Sequence, residues 1–147
     1  MSYLRYLGLA AAIAATDQTL KWIILRSGRL NPRKSITLFR HFQIRFDVRN
    51  SGGAFGLLSG NNSLLIIVTG MAVIGLIVFL AFLPSRSTYL ALGFALLLGG
   101  ATGNFLDRML HGAIIDYIQI WNFPVFNLAD TAIVIGASLV VFHLFTE

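Results

Sequence analysis

Four long apolar stretches dominate the sequence, and most of the charged residues lie between or at the ends of them. The stretches cover residues 4–25, 63–83, 89–106 and 126–145. Each is close to the roughly 20 residues that a helix needs to cross the hydrocarbon core of a bilayer. The pattern predicts four transmembrane helices, with both termini on one side of the membrane and the loops 26–60 and 107–125 on the other.

The first stretch has a second interpretation, as a cleaved signal peptide. Arg5 precedes a short apolar run, and small residues follow near Ala15, as in a leader with its cleavage site. Apolar sequence resumes after Lys21, which favours a retained span. The chain has 147 residues, so we expect one integral membrane domain over residues 1–147.

Two charged residues interrupt the first span. Asp17 and Lys21 are four positions apart, the spacing that brings two side chains together on one helical face. An ion pair makes both charges tolerable near a helix end, and we prefer this structural interpretation to a catalytic one. Trp22 fits an anchor at the membrane interface.

The loop 26–60 contains a predicted strand. Phe42–Arg49 alternates apolar and polar residues, the period of a half-buried strand. The Asn50–Gly53 segment favours a turn, although the Asn50 amide has a second interpretation as a group that points into a site. The segment 54–58 is short and apolar, which is typical of the membrane interface. The predicted fold is an all-α membrane protein with four transmembrane helices and a small β-containing cradle between helices 1 and 2.

The third span combines close packing with a polar end. Ala95, Gly99 and Gly103 recur every four residues, a pattern that allows neighbouring helices to approach closely. Asn104 and Asp107 follow on one side of the helix. Asp107 fits a structural role, because it lies beside Arg108.

The composition narrows the possible functions. The chain is 56% hydrophobic and 12% charged, which is typical of a membrane protein, and it has no cysteine. Disulfides and a cysteine nucleophile are therefore excluded. Seven of the eleven basic residues lie in the loop 26–60, beside the spans. This placement favours anionic lipid headgroups over nucleic acid as a partner, whereas counting positive charges alone puts that loop in the cytoplasm.

Asp116 and Asp130 are the candidate catalytic residues. They are 14 residues apart with Pro124 between them, so no single continuous helix carries both, but a loop and a helix start can bring them face to face. Two carboxylates in a poorly solvated site share one proton. Such a pair activates a water with one group and protonates the scissile group with the other. The residues around the three histidines do not form a zinc motif.

Two other interpretations of these acids remain open at this point. A small proton-coupled transporter or channel subunit uses intramembrane carboxylates as a relay, and a membrane assembly factor uses them only to pair helices. A peptidase needs two carboxylates at one membrane face, whereas a relay needs them distributed across the membrane. Asp116 and Asp130 flank one loop, which favours the peptidase.

Several motifs extend this interpretation, and the whole chain resembles lipoprotein signal peptidase, or signal peptidase II, a bacterial membrane aspartic peptidase. In chain order, the motifs are Asp17-Gln18-Thr19-Leu20-Lys21-Trp22, Val48-Arg49-Asn50-Ser51-Gly52-Gly53-Ala54-Phe55-Gly56, Gly103-Asn104-Phe105-Leu106-Asp107-Arg108, Ile114-Ile115-Asp116-Tyr117-Ile118 and Phe126-Asn127-Leu128-Ala129-Asp130-Thr131-Ala132. Gly53 and Thr102 depart from common family residues, and the loop 107–125 is short. These departures do not touch the candidate pair.

The resemblance implies that Asp116 and Asp130 are the catalytic pair and that no cofactor or metal is needed. The residues with implied supporting polar roles are Asp17, Asn50, Asn104, Asp107, Arg108 and Asn127. Arg108 is expected to pair with Asp107. The implied substrate is a prolipoprotein that carries a diacylglyceryl group on a cysteine, and cleavage occurs before that cysteine. The resemblance also implies a monomer in the bacterial inner membrane, with the cradle and the site facing the extracytoplasmic side.

Overall fold

The computed structural model describes residues 2–31, 33–52, 61–82 and 88–146. Four helices and three strands follow one another as α1 (Ser2–Leu30), β1 (Ser35–Phe39), β2 (Phe42–Asn50), α2 (Asn62–Phe82), α3 (Thr88–His111), β3 (Ile114–Ile120) and α4 (Leu128–Thr146). Each predicted span falls on a helix in this order. Helices α1 and α3 continue about one turn or more beyond residues 25 and 106, where the predicted spans end.

Three helices in the described residues are long and apolar enough to cross a membrane, namely α2, α3 and α4. The span predicted over 4–25 lies inside α1, which does not share that apolar character. Arg5, Asp17 and Lys21 all fall within those residues. The lengths and compositions of α2, α3 and α4 are thus those of a multi-pass membrane protein.

Helix α3 is the centre of the bundle, because it packs extensively against α4, α1 and α2. The small residues at its surface allow this. Ala95 is fully buried, and a Cβ built on Gly99 would lie 2.8 Å from the carbonyl oxygen of Ala10 in α1. A Cβ on Gly103 would lie 3.3 Å from the Cβ of Ala129 in α4. The predicted close-packing pattern is therefore confirmed, and it serves two neighbouring helices at once.

The strands form one antiparallel sheet in the order β1-β2-β3. The predicted strand over residues 42–49 is confirmed as β2. The cradle, however, is not confined to the segment between the first two helices, because β3 comes from the loop between α3 and α4. Ile114–Ile120 begins with four consecutive buried residues, so it lacks a clean alternation of apolar and polar positions, and sequence periodicity missed it. The predicted interfacial segment 54–58 lies outside the described residues.

The pairing register between β2 and β3 sets the position of Asp116 relative to the end of β2. Val48 of β2 is opposite Asp116 of β3, and Asn50 is opposite Ile114. The other edge of β3 is covered in part by Phe126, which forms an antiparallel bridge with Ile118. The sheet thereby holds the start of α4 beside the middle of β3.

Candidate active site

Asp116 and Asp130 converge on one asparagine. Asp116 lies on β3 and is 2% exposed, and Asp130 lies in the first turn of α4. The side-chain Nδ2 of Asn127 donates to Asp116 Oδ1 at 2.9 Å, while the backbone N–H of Asn127 donates to Asp130 Oδ2 at 3.2 Å. The two acids are therefore neighbours, as the proposed pair requires, although Asp116 is on a strand where a loop was expected.

Two further amides hold the remaining carboxylate oxygens. Asn50 Nδ2 donates to Asp116 Oδ2 at 3.1 Å, and Asn104 Nδ2 donates to Asp130 Oδ1 at 2.8 Å. All four oxygens of the pair thus accept from neutral amide groups. Within the described part of the chain, no cation lies at ion-pair distance from either acid. Neutral donors orient the carboxylates without supplying a positive charge, so no adjacent cation offsets the repulsion between the two acids.

Asn50 combines both of the interpretations that its sequence left open. Its Oδ1 accepts from the backbone N–H of Gly52 at 3.0 Å, as an asparagine does in a turn. Its Nδ2 donates to Asp116. The turn therefore fixes the amide orientation that the acid uses.

The surroundings of Asp116 favour its protonated form. Burial, followed by the nearby negative charge of Asp130, raises the pKa of Asp116 to about 6, and the hydrogen bonds from Asn50 and Asn127 and the charge of Lys21 act in the opposite direction. Burial disfavours an ionised carboxylate because it removes solvating water. The pKa of Asp116 therefore lies above the usual range of an aspartate, which favours its protonated form at mildly acidic pH.

Side chains from three elements satisfy the free N–H groups at the start of α4. Asn127 Oδ1 accepts from the N–H of Asp130 at 2.8 Å, which, with the return bond to Asp130, forms a reciprocal cap. The Ala129 N–H donates to Asp17 Oδ1 of α1 at 3.0 Å, and the Leu128 N–H donates to the Tyr117 hydroxyl at 3.3 Å. The helix end that carries Asp130 is thus fixed to both α1 and β3.

Lys21 connects the cap to the rest of the site. Its Nζ lies 2.7 Å from Asp17 Oδ2 and 2.7 Å from Asp107 Oδ2, and donates to Asn104 Oδ1 at 3.2 Å. The predicted Asp17–Lys21 ion pair is therefore confirmed, but it is part of a larger buried group. Because Asn104 Oδ1 accepts from Lys21, its Nδ2 faces Asp130.

Asp107 has the structural surroundings that were expected, but a different charged partner. It pairs with Lys21 instead of the adjacent Arg108, which corrects the expectation that Arg108 neutralises it. Consecutive residues on a helix point about 100° apart, so Asp107 faces α1 while Arg108 does not. Asp107 also accepts from Gln18 Nε2 at 2.8 Å and from the Ile115 N–H at 2.9 Å, which joins α1, α3 and β3.

The structure brings most of the predicted site residues into one hydrogen-bonded network. Its predicted members are Asp17, Asn50, Asn104, Asp107, Asp116, Asn127 and Asp130. Sequence reasoning left out Gln18, Lys21 and Tyr117 as site residues. Lys21 carried a signal through its spacing from Asp17, whereas the sequence around Tyr117 gave no indication that its hydroxyl caps α4. Burial raises the pKa of Tyr117 to about 12, so this hydroxyl stays neutral.

Asp130 is the member of the pair that borders open space. A cavity of about 300 Å³ is lined by Asp130 together with Phe123, Phe126, Thr131, Val134 and Ile135. Its walls are almost entirely apolar apart from the acid. Among the described residues, no group of three or more histidine, aspartate or glutamate side chains is placed to hold a metal ion.

The family model described as signal peptidase (SPase) II matches residues 9–146. The chain belongs to the signal peptidase II family. The lipoprotein signal peptidase of Geobacillus thermodenitrificans (strain NG80-2) is 38% identical over 144 residues, which cover 95% of this chain and 89% of that protein. That of Staphylococcus carnosus (strain TM300) is 38% identical over 141 residues, covering 92% and 87% of the two chains.

Two solved structures share the fold of this signal peptidase II family member. Both are described as bacterial membrane enzymes determined by the in meso method. The structure at 2.3 Å resolution has a TM-score of 0.84 and 31% identity, and covers 96% of this chain and 87% of the other. The structure at 1.9 Å has a TM-score of 0.82 and 30% identity, with 97% and 94% covered. The chain is therefore a peptidase, and the proton-relay interpretation is not supported.

Proposed function

We propose that this chain is an intramembrane aspartic endopeptidase that removes the signal peptide from diacylglyceryl-modified prolipoproteins by cleaving before the lipidated cysteine. The observation that carries the proposal is the convergence of Asp116 and Asp130 on Asn127. The adjoining apolar cavity suits a lipid-bearing, membrane-embedded substrate. The names of the relatives point to the same class of substrate.

The two acids take different parts in the reaction. Asp130 lies in the first turn of α4, where the helix dipole favours a negative charge, and it borders the cavity. It removes a proton from water as the oxygen forms a bond to the scissile carbonyl carbon. Asp116, with its raised pKa, gives its proton to the carbonyl oxygen. The resulting gem-diol collapses when the C–N bond breaks: the leaving nitrogen takes up the proton from Asp130, and one gem-diol hydroxyl returns its proton to Asp116, which forms the product carboxyl group and restores both acids.

The supporting residues act on the geometry of the pair. Asn127, Asn50 and Asn104 orient the four carboxylate oxygens. Asp17 and Asp107 hold Lys21 and thereby fix Asn104. We place Arg108 in a supporting role near the acids through its charge, because it lies buried on the same helical turn as Asn104 and Asp107.

Placement in the membrane follows from the same elements. We infer that α1 also crosses the bilayer, since Asp17 and Lys21 pair with each other and are buried within the bundle. Four spans then put the sheet and the catalytic pair together on one side, which we assign to the extracytoplasmic face of the bacterial inner membrane. We expect a monomer of one domain with phospholipids as its surroundings. The signal helix and the lipid of the substrate reach the cavity laterally.

The test compares Asp116→Asn and Asp130→Asn with Asp47→Asn on a diacylglyceryl-prolipoprotein in detergent. Asp47 is an exposed acid on β2, outside the site, and serves as the control for loss of one charge. General acid–base catalysis contributes about 100-fold to 10,000-fold, so each site variant should lose at least about 100-fold in kcat/KM, while Asp47→Asn keeps full cleavage. Full cleavage by either site variant contradicts the assignment of the pair.

A further inference from the structure

A second cavity lies at the ends of α1 and α3, apart from the catalytic pair. It has a volume of about 360 Å³ and is lined by Trp22, Leu25, Arg26, Arg29 and His111. We call these five residues the α1–α3 cleft. Leu25, Arg26 and Arg29 lie three, four and seven positions after Trp22 in α1, so these four residues share one helical face. The catalytic scheme above uses none of the five.

The two arginines of this cleft have no counterion among the described residues. Arg26 and Arg29 form none of the ion pairs in the described part of the chain. The five described carboxylates are all engaged elsewhere, with Asp17 and Asp107 on Lys21, Asp47 near Lys34 and Arg45, and Asp116 and Asp130 on asparagine amides. Two exposed guanidinium groups, one helical turn apart and without a counterion in the described part of the chain, favour an external anion.

Trp22 holds one of these arginines in place and indicates that the cleft lies at the lipid–water interface. The Arg26 guanidinium carbon lies 5.2 Å from the centre of the Trp22 ring, a cation–π arrangement that restricts the guanidinium before any ligand binds. The Trp22 side chain is 59% exposed. An exposed tryptophan near the end of a transmembrane helix is typical of the lipid–water interface, where the anion at hand is a phosphodiester.

The helix dipole alone does not account for the positions of the basic residues in the cleft. Arg29 and His111 lie in the last turns of α1 and α3, where cations are favourable. Arg26 lies further from the helix end and is stacked on an exposed aromatic ring. Arginine is well suited to binding phosphate, because each planar guanidinium group can donate two parallel hydrogen bonds to the phosphate oxygens.

From these contacts we propose that the α1–α3 cleft binds the headgroup of an anionic phospholipid. Arg26 and Arg29 contact the phosphate, His111 contributes a further polar group, and Trp22 lies along the glycerol and upper acyl region. Binding of an anionic lipid would also explain why basic residues lie on the extracytoplasmic side, where the positive-inside rule does not expect them. The proposal rests on the inferred membrane placement of α1, but not on the catalytic roles of Asp116 and Asp130.

The test uses Trp22 as a local reporter. The chain has two tryptophans, so Trp121→Phe leaves Trp22 alone. This protein is reconstituted in vesicles of equal parts phosphatidylcholine and phosphatidylglycerol, with bromine on the acyl chains of only one lipid at a time. Bromine quenches tryptophan at short range. We expect markedly stronger quenching by brominated phosphatidylglycerol, with a local preference of up to roughly 30-fold, the scale that two arginines give at an anionic surface.

Two double variants distinguish a specific binding site in the α1–α3 cleft from a general attraction of basic residues to anionic lipid. Arg26→Gln with Arg29→Gln should make quenching by the two brominated lipids equal. Arg33→Gln with Arg40→Gln removes the same charge from exposed positions on the same side and should keep the preference. Equal quenching before the cleft arginines are changed overturns the proposal, as does loss of the preference in the control pair. Neither result involves cleavage, so a failure here leaves the peptidase assignment standing.

Discussion

Replacing Lys21 by methionine tests the buried charge network directly. Methionine is similar in length and apolar, so the change removes the ammonium group while keeping most of the side-chain volume. Lys21 is 1% exposed, and its partners Asp17 and Asp107 are both 0% exposed. The substitution therefore leaves two buried carboxylates without the cation that lies 2.7 Å from each of them.

The expected loss of unfolding free energy is about 3 kcal/mol, at the lower end of the roughly 3–5 kcal/mol seen when one partner is removed from a buried ion pair. The lower end applies because both acids keep other donors. Asp17 still accepts from the Ala129 N–H, and Asp107 still accepts from Gln18 and from the Ile115 N–H. We also expect lower cleavage activity, since Asn104 loses the contact that orients it toward Asp130.

Equilibrium unfolding in mixed micelles with increasing dodecyl sulfate, followed by circular dichroism, measures this loss. Lys34→Met is the matched control, because Lys34 lies 3.7 Å from Asp47 with its side chain 82% exposed; exposed pairs are worth less than about 1 kcal/mol. Adding Asp107→Asn to Lys21→Met should cost less than the sum of the single changes, because the two residues share one contact. A Lys21→Met loss no larger than the control, or strict additivity with Asp107→Asn, refutes the reasoning.

Three further predictions follow from the packing and the site. Gly100→Ala should lower the unfolding free energy by about 1–3 kcal/mol, because the added Cβ would meet the Ala129 carbonyl oxygen. Gly75→Ala is the control and should be neutral or stabilising, because the space around its added Cβ is open. Equal effects of the two changes in the same unfolding assay contradict this prediction. A pH profile of kcat/KM should fall as pH rises through the pKa of Asp116, about 6. Asn50→Ala removes a hydrogen bond that favours the ionised carboxylate, which raises the pKa of Asp116, so this fall should move to higher pH; a shift to lower pH is the opposing result. Incubation with a chelator should leave cleavage unchanged, since the proposed chemistry uses two carboxylates, and activity that is lost and then restored by a divalent metal would point to metal chemistry instead.

The apolar pattern alone was enough to locate the helices. A continuous apolar stretch of about 20 residues has few alternatives to a helix in a bilayer, because each backbone polar group must be satisfied internally. The alternation in Phe42–Arg49 likewise predicted β2. The strand β3 was missed because its first four residues are all buried although one of them is Asp116, so its polar positions do not mark an exposed face and the period of two is lost.

For the site, local spacing found only the contact between Asp17 and Lys21, which one helical turn brings together. The candidate pair depended on residue chemistry and on the family resemblance. The second partner of Lys21 is Asp107, on another helix, and the Asp116 side chain meets Asn127 only because β3 pairs with β2 and ends beside α4.

What the sequence by itself determined was thus which segments are helical, where one strand lies, and which side chains are candidates for the chemistry. Only the tertiary structure decided how those side chains meet. Contacts such as Lys21–Asp107 and Asp17 with the Ala129 N–H join residues far apart in the chain, and no local pattern encodes them. They form because α3 and its small residues allow α1 and α4 to approach closely, and because the buried charges and N–H groups gathered there must find partners within the protein.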